Sequence, residues 1–405
     1  MPFVAQHRTF AGATLGAMGA LVLACASTPA PPPPVVTMAP PRGEEPSAPT
    51  DLAPLRIGVY LPLSGAEATF GTETREGIDL AVERVIDSGG IRGRSIELVY
   101  ADDHSLPRDA SKAVLDFSKD PTLVAVLGEV ASSRSKVGGI VADKNHVPML
   151  TPASTNPDVT RVGPFVFRAC FDDEAQGRAA ARYLIQERRH KKIGVLLASD
   201  DLYSALLART FREQAERLGA TVFERRILTT ATNFTAPLGD LQTQRPDVVY
   251  APLYYNVMQD VFREAGALGF SGRDFFGGDG WDSDTLRKGA GATGAAFTTH
   301  WMLDIPSAEN RAFVDAYRAR YHRDPSSISA LGYDAAALLL DAMKRASADT
   351  REAVRDALAH TRGFVGVTGT ITMREDRNPE KDVFIARIEG GRFRYEGRVR
   401  SVPAN

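Results

Sequence analysis

The stretch LVAVLGEVASSRSKVGGIVADK, residues 123–144, contains the unit from which the whole fold can be read. Residues 123–127 form an unbroken apolar run, which predicts a short strand buried on both faces. Gly128 ends that run, and Ser132 and Ser133 stand where a helix over 132–144 begins, a usual place for capping residues. A buried strand followed by a helix indicates a parallel sheet covered by helices.

The same unit repeats on both sides of this stretch. A first series has strands over 55–61, 95–101, 123–127 and 147–150, with helices over 74–87, 108–118 and 132–144. A second has strands over 192–198, 221–228, 247–252, 275–276 and 295–299, with helices over 174–187, 204–218 and 257–268. Helices over 309–321, 329–346 and 350–360 and β segments over 369–373, 383–389 and 392–398 follow.

Two series predict two α/β lobes, each built on a parallel central sheet. We expect a first lobe from 55–168 plus 300–365 and a second from 169–299 plus 366–400. The chain would cross between them three times, near Arg168, Thr299 and Gly366. Ligands of such folds bind in a crevice at the carboxyl ends of the strands.

The composition excludes several classes of function. The 405 residues carry 48 Lys and Arg against 50 Asp and Glu, a formal charge of −2, so no basic field for nucleic acid is expected. Two cysteines cannot make a four-cysteine zinc site, and the seven histidines include no His-x-x-x-His pair. The sequence predicts neither a metal site nor a cofactor.

The first 54 residues predict an export signal and a tether. Residues 1–24 fit a secretory signal peptide that ends in Val22-Leu23-Ala24-Cys25, which resembles a bacterial lipobox with Cys25 as the lipidated residue. An ordinary signal peptide that contains a cysteine is the alternative. Ten prolines between 29 and 54 favour an extended spacer, so 25–54 is interpreted as a lipidated tether. A lipid-anchored extracytoplasmic location follows, with the inner or outer membrane left open.

Two enzyme motifs occur without their required context. Gly289-Ala290-Gly291-Ala292-Thr293-Gly294 matches a dinucleotide fingerprint, but it precedes a strand instead of following one, so we interpret it as a loop. Ser133-Arg134-Ser135-Lys136 matches the S-x-x-K of penicillin-interacting enzymes, yet the chain contains no S-D-N or K-T-G element. A serine hydrolase is therefore kept only as a remote alternative.

Polar side chains gather at the ends of the predicted strands. They are Ser132 and Ser133, the turn Thr151-Pro152-Ala153-Ser154-Thr155, and Tyr203, Tyr254 and Asp279 in the second series. Each alone is a common capping or surface residue. Together at one edge of the sheets they predict a polar ligand site, and a helix N-terminus with hydroxyl groups suits a carboxylate.

At this point the chain resembles the leucine/isoleucine/valine-binding proteins, the type I periplasmic binding proteins of amino-acid ABC importers. The resemblance covers nearly all of 55–400. Its motifs occur in order: Ile57–Gly65 with Phe70-Gly71, Gly89–Gly93, Ala101–Asp103, Gly128–Ser133, Pro148–Thr155, Phe167-Arg168, Asp200–Tyr203, Gly278–Gly280 and Gly332–Ala336. It implies Rossmann-like lobes joined by three hinge crossovers.

The resemblance also implies a role for each site residue. Ser132, with Ser133 and the amides after it, would bind the ligand carboxylate. Ala153, Ser154 and Thr155 would form the turn whose carbonyl and hydroxyl meet the amino-acid head group. Asp279 would pair with the ammonium, and Tyr203 would close over the head group. Phe70, Tyr254 and Trp281 would shape the side-chain pocket.

The function implied is capture of an amino acid, branched-chain or otherwise apolar, for delivery to an ABC permease. The chain is expected not to be an enzyme. An envelope lipoprotein of the same fold that senses a ligand or binds a protein is the alternative, because the proline spacer is long. Two departures from relatives stand out: Cys170 is expected to be a buried free thiol without a disulfide partner, and Phe70 stands where some relatives have Tyr.

Overall fold

The computed structural model describes residues 52–400. The predicted signal peptide, Cys25 and all of the tether but its last three residues lie outside the described residues. Within residues 52–400 no helix combines the length and the apolar character needed to cross a bilayer.

The first sheet contains five parallel strands in the order β2-β1-β3-β4-β5. Its strands are β1 (Leu55–Leu61), β2 (Ile96–Asp102), β3 (Leu123–Leu127), β4 (Met149–Thr151) and β5 (Val166–Arg168). The helices between them are α1 (Ala68–Asp87), α2 (Pro107–Lys119), α3 (Ser132–Lys144) and α4 (Asp158–Arg161). All five residues of β3 are buried, as its unbroken apolar run predicts.

The second sheet contains seven strands in the order β14-β13-β10-β9-β8-β6-β7. They are β6 (Lys192–Ala198), β7 (Thr221–Ile227), β8 (Val248–Ala251), β9 (Phe275–Gly277), β10 (Ala296–Thr299), β13 (Val383–Glu389) and β14 (Arg392–Val399). The helices are α5 (Asp173–Arg182), α6 (Leu202–Arg217), α7 (Thr235–Thr243), α8 (Tyr255–Ala267) and α9 (Asp284–Arg287). Strands β6–β10 are parallel, whereas β13 and β14 form an antiparallel hairpin at one edge. Gly390 and Gly391 make its tight turn, both with positive φ.

The chain returns to the first lobe after β10. There it forms α10 (Ala308–Tyr321), α11 (Ser327–Arg345), α12 (Arg351–Ala359) and a small hairpin of β11 (Phe364–Gly366) and β12 (Gly369–Ile371). Helix α11 packs along α1, and glycine permits the close approach: a Cβ at Gly77 would lie 2.0 Å from the carbonyl oxygen of Ser329. The hairpin stays bound to α11, because the Asp334 carboxylate accepts hydrogen bonds from the amides of Val367 and Thr368. The last passage to the second sheet therefore follows β12.

The predicted fold class is confirmed, and most elements lie within two or three residues of the predicted ranges. The helix predicted over 174–187 is in fact α5 followed by a π-helical turn, Tyr183–Glu187. Helix α7 was not predicted, because Pro237 and Gly239 stand inside its nine residues. Its apolar Leu238 and Leu241 are buried, so tertiary packing stabilises a helix that its local sequence disfavours.

Candidate functional site

Hydroxyl groups cluster at the carboxyl end of the first sheet. Ser132 is the first residue of α3 and is 1% exposed, and its Oγ accepts a hydrogen bond from the Asn156 amide at 3.1 Å. That bond brings the loop after β4, with Ala153 and Thr155, over the first turn of α3. Three of the predicted head-group residues thus lie together beside a helix N-terminus, where free amides and a positive dipole end favour a carboxylate.

The two other predicted serines are placed differently. The Ser154 hydroxyl lies inside the lobe, 2.6 Å from the Ser135 hydroxyl and 3.1 Å from the Glu129 carbonyl oxygen. Ser133 is the second residue of α3 and is only partly buried. The structure therefore uses the Ser154 side chain to fix the loop after β4.

Arg168 fixes the loop after β4 through hydrogen bonds. Its guanidinium is fully buried and donates to the carbonyl oxygens of Ser154 at 2.8 Å and Asn156 at 2.6 Å. Its Nε donates to the Asn378 side-chain oxygen at 2.6 Å, in the segment between β12 and β13. One side chain thus links the binding loop to two of the connections between the lobes.

Asp279 provides the acidic end of the site from the second lobe. It follows β9 in a short 3₁₀ turn and is 5% exposed. Gln176 on α5 donates to its Oδ1 at 2.7 Å, and the Nε2 of His300 lies 2.9 Å from its Oδ2. Burial lowers the pKa of His300, so the ring is neutral at pH 7 and donates through Nε2 to the carboxylate. Two donors therefore orient the carboxylate, and its remaining lone pairs are free for an ammonium.

A second buried carboxylate, Asp173, lies near the first. It opens α5, and its amide donates to the Thr155 carbonyl oxygen at 2.9 Å. Burial raises the pKa of Asp173 well above its usual range, and the charge of Asp279 raises it further. The Thr155 hydroxyl lies beside the carboxylate and opposes this rise in pKa, but neither carboxylate oxygen makes a hydrogen bond of ordinary geometry within residues 52–400. Buried acceptors without donors are costly, so this arrangement favours a cationic group between the two acids.

Aromatic rings form a wall beside the acidic end. The Tyr203 hydroxyl accepts a hydrogen bond from the Gly280 amide at 3.1 Å, next to Asp279. The Tyr203 ring stacks on Tyr254 with centroids 4.8 Å apart, and Tyr254 meets Phe70 edge-to-face at 6.2 Å. These rings come from both lobes, so Phe70, Tyr203 and Tyr254 form a continuous aromatic contact where the lobes meet.

Trp281 is placed away from this wall. Its ring is completely buried and packs against Phe262 at 5.3 Å and Phe297 at 6.3 Å, inside the second lobe. The structure thus places Trp281 in the core of the second lobe, whereas Phe70, Tyr203 and Tyr254 pack together.

Several hydrogen bonds join the lobes across the cleft. Three of them run from Asn156 Nδ2 to the Leu202 carbonyl at 2.8 Å, from the Thr69 amide to Tyr255 Oη at 3.3 Å, and from Asn256 Nδ2 to Glu67 Oε1 at 3.3 Å. The described conformation is thus closed, and the acids of the second lobe are brought against the hydroxyls of the first.

Neither enzyme motif is arranged for catalysis. Lys136 pairs with Asp158 at 2.9 Å on the outside of α3 and does not support Ser133 as a nucleophile. The glycine-rich segment 289–294 is a loop between α9 and β10, as predicted. Among the described residues, no group of three or more His, Cys, Asp or Glu side chains could hold a metal ion.

Sequence reasoning did not find Asp173, Gln176 or His300. One signal for Asp173 exists in the pair Asp172-Asp173 before α5. A helix needs one capping carboxylate, and Asp172 supplies it by accepting from the Ala175 amide at 2.8 Å. The second aspartate is therefore free for another role. Gln176 and His300 have no comparable signal, since their partner Asp279 is 103 and 21 residues away along the chain.

Two α/β lobes that close over a site with hydroxyls on one side and buried acids on the other define a ligand-capturing binding protein. A family model described as periplasmic binding protein matches residues 54–392. The chain belongs to this family, whose members bind solutes and are not enzymes.

Individual relatives agree with this assignment. An amino acid binding protein of Pseudomonas aeruginosa is 32% identical over 242 residues, which are 59% of this chain and 64% of that protein. The Leu/Ile/Val-binding protein BraC3 of Rhizobium johnstonii is 28% identical over 81% of this chain and 89% of its own length. The crystal structure of the leucine-binding protein LivK from Thermotoga maritima matches with a TM-score of 0.82 and 33% identity, over 85% of this chain and 99% of LivK.

Proposed function

We propose that the chain is a lipid-anchored extracytoplasmic binding protein that captures a free amino acid with a branched-chain or other apolar side chain and delivers it to an ABC permease. The observation that carries this proposal is the pair of buried acids, Asp173 and Asp279, opposite the Ser132 hydroxyl and the first turn of α3. A zwitterion is the ligand that satisfies both ends at once. The names of the relatives, amino-acid and Leu/Ile/Val-binding proteins, support the same class.

The domain organisation belongs to this proposal. The predicted lobes are 55–168 plus 300–365 and 169–299 plus 366–400. Because the hairpin β11–β12 is bound to α11, the last boundary would move to the end of β12, after Ile371. The ligand would favour the closed state because its two charged ends are held by different lobes. Cys25 and the spacer would hold the binding domain near the membrane that contains the permease.

Thermal unfolding of the full chain in mild detergent, with each of the twenty amino acids and with benzoate, tests the proposal. A ligand present at a hundred times its dissociation constant adds about 2.7 kcal/mol of stability. For a chain of this size that is a rise in Tm of roughly 3 °C. We expect the rise with leucine, isoleucine or valine and none with benzoate, which has no ammonium for the two acids. No rise with any amino acid would refute capture of a free amino acid.

The long proline spacer favours a second candidate, a lipoprotein of this fold that senses a ligand or binds an envelope protein. A pull-down with the full chain separates the two roles. Recovery of permease subunits supports delivery, and recovery of envelope enzymes or receptors without a permease supports the sensing role.

A further inference from the structure

A buried arginine lies close to the contact between the lobes. Arg134 is in the first turn of α3, and its side chain is 6% exposed. Its Nε donates to Glu129 Oε1 at 2.8 Å, and its Nη1 donates to Glu67 Oε2 at 3.0 Å. Its Nη2 is buried and has no hydrogen-bond partner among residues 52–400. A guanidinium in this position has one pair of N–H donors unused.

The position of Arg134 follows from the residues around it. Glu67, which it holds, receives the hydrogen bond from Asn256 of the opposite lobe, so the guanidinium stands where the cleft closes. Tyr254 is two residues before Asn256, and its ring stacks on Tyr203, whose hydroxyl accepts a hydrogen bond from the Gly280 amide next to Asp279. Tyr254 thus links the acidic end of the site to the contact that Arg134 holds through Glu67. A guest whose ammonium is at Asp279 directs its side chain along Tyr254 toward the guanidinium.

The charges around Arg134 determine which chemical group of a ligand its free N–H donors can bind. Glu67, Glu129 and Asp103 all lie within 4 Å of the guanidinium, and the last two are fully buried. Burial raises the pKa of Glu129 to about 8 and that of Asp103 to about 6, so the site carries carboxyl groups that already resist ionisation. A ligand anion there would be repelled by the neighbouring carboxylates. A neutral acceptor, such as an amide or hydroxyl oxygen, would accept a hydrogen bond from Nη2 without this repulsion.

We propose that Arg134 Nη2 donates a hydrogen bond to the end of the guest's side chain, so that the protein binds neutral polar amino acids alongside apolar ones of the same size. The inference deepens the proposed function and rests on it, since the head group must be an amino acid for its side chain to reach Arg134. Arg134 is then a determinant of specificity, separate from the residues that hold the head group.

Asparagine and leucine provide a direct test because their side chains have nearly the same shape. In a pocket that offers only apolar contacts, the asparagine amide loses its hydrogen bonds to water, and its binding weakens about 10- to 100-fold relative to leucine. If Arg134 meets the amide, the two dissociation constants in the full chain lie within about threefold. Aspartate, which differs from asparagine by its charge, binds at least about tenfold more weakly than asparagine.

Calorimetric titration of the purified full chain with leucine, asparagine and aspartate measures these ratios. R134M is expected to raise the asparagine-to-leucine ratio of dissociation constants at least about tenfold. R94M removes another ion-paired arginine, partnered by Asp349 at 2.8 Å away from the cleft, and leaves the ratio unchanged. Should R134M not fold, the ratios of the wild-type chain decide the question alone.

The outcomes separate this inference from the proposed function. Leucine binding with asparagine more than about 30-fold weaker overturns the role of Arg134 and leaves the proposed function intact. The same holds if R134M leaves the ratio as it was, or if aspartate binds more tightly than asparagine. Failure of all three amino acids and of isoleucine and valine to bind overturns the proposed function itself.

Discussion

The two ends of the head-group site differ in how many of their polar groups already have hydrogen-bond partners within the protein. At the end formed by the first lobe, the Ser132 hydroxyl already accepts the Asn156 amide, and Arg168 holds the loop carbonyls. At the end formed by the second lobe, neither oxygen of Asp173 makes a hydrogen bond of ordinary geometry within the described part of the chain. The first end is therefore preorganised by the fold, whereas the second is completed by what binds there.

This difference indicates where binding energy comes from. A preformed hydroxyl end sets the orientation of a carboxylate at little entropic cost. Burial keeps the proton on Asp173 until a cation arrives, so an ammonium that binds there gains the attraction of a buried carboxylate less the cost of removing that proton. Substitutions at the acidic end should therefore affect affinity more than substitutions at the hydroxyl end, and four variants test that order.

The largest effect is expected for D279N. It keeps the shape of the side chain and removes the charge that pairs with the ammonium, and breaking a buried charge pair from one side typically costs about 3–5 kcal/mol. Affinity for the amino acid with the largest thermal shift should fall more than about a hundredfold in calorimetry. D260N, which removes an exposed carboxylate paired with Arg263 on α8, serves as the control and should leave affinity unchanged. Equal affinities of D279N and wild type would show that the ammonium lies elsewhere.

D173N should weaken binding about tenfold and stabilise the protein without ligand. Because its folded-state pKa is raised, Asp173 keeps its proton in the folded protein after it has lost it in the unfolded chain. Its contribution to stability is therefore full below about pH 4 and falls as the pH rises. Glu73 and Glu129, with pKa values of about 8, act in the same direction.

Unfolding of wild type and D173N from pH 4 to pH 8 measures this contribution. Wild-type Tm should fall over that range, and the D173N profile should fall less steeply. A steeper profile in D173N, or a lower Tm at pH 7 than wild type, would contradict the assignment of Asp173 as a buried acid that awaits a cation.

S132A should weaken binding by about fivefold, since one hydrogen bond to a carboxylate is lost while the helix amides remain. The neighbouring S133A, in the same helical turn, is the matched comparison and should change affinity less than twofold. Similar losses in both variants would mean that the two hydroxyls share the carboxylate. A loss of affinity in S132A as large as that in D279N would show that the hydroxyl end contributes as much to binding as the acidic end.

The smallest effect on affinity is expected for W281F. Trp281 packs on Phe262 and Phe297, so the smaller ring leaves a void and lowers stability by about 1–2 kcal/mol. Its affinity should stay within twofold of wild type, measured beside its Tm. A clear loss of affinity at constant Tm would show that Trp281 contributes to ligand binding.

The sequence predicted the preorganised end better than the acidic end, and the reason is local. Ser132 and Thr155 stand directly after buried strands, so alternation of strand and helix places them at one edge of the sheet. Asp279 was also found at a strand end. The residues that orient it come from α5 and from the segment after β10, and only the assembled second lobe brings them together.

The prediction of the fold likewise succeeded where the signal in the sequence was local. Helix α3 over Ser132–Lys144 was predicted to the residue, because the buried strand before it and the serines at its start mark where it begins. Helix α7 and the turn into Tyr183–Glu187 were not, because packing overrides their local sequence there. Arg134 was noted only as part of an S-x-x-K match. Its ionic partner Glu129 is five residues away along the chain, and Glu67 is 67 residues away. No rule of sequence spacing connects these positions.

The burial of Cys170 makes the protein suitable for use as an optical reporter. Its thiol is fully buried, lies 3.4 Å from the Ser154 carbonyl, and burial raises its pKa to about 12. With Cys25 replaced by serine, Cys170 is the single cysteine in the sequence. Thiol reagents react with exposed thiolates, so Cys170 would stay unlabelled in the folded state. A cysteine introduced at exposed Leu228, directly after β7, would therefore take a fluorophore selectively.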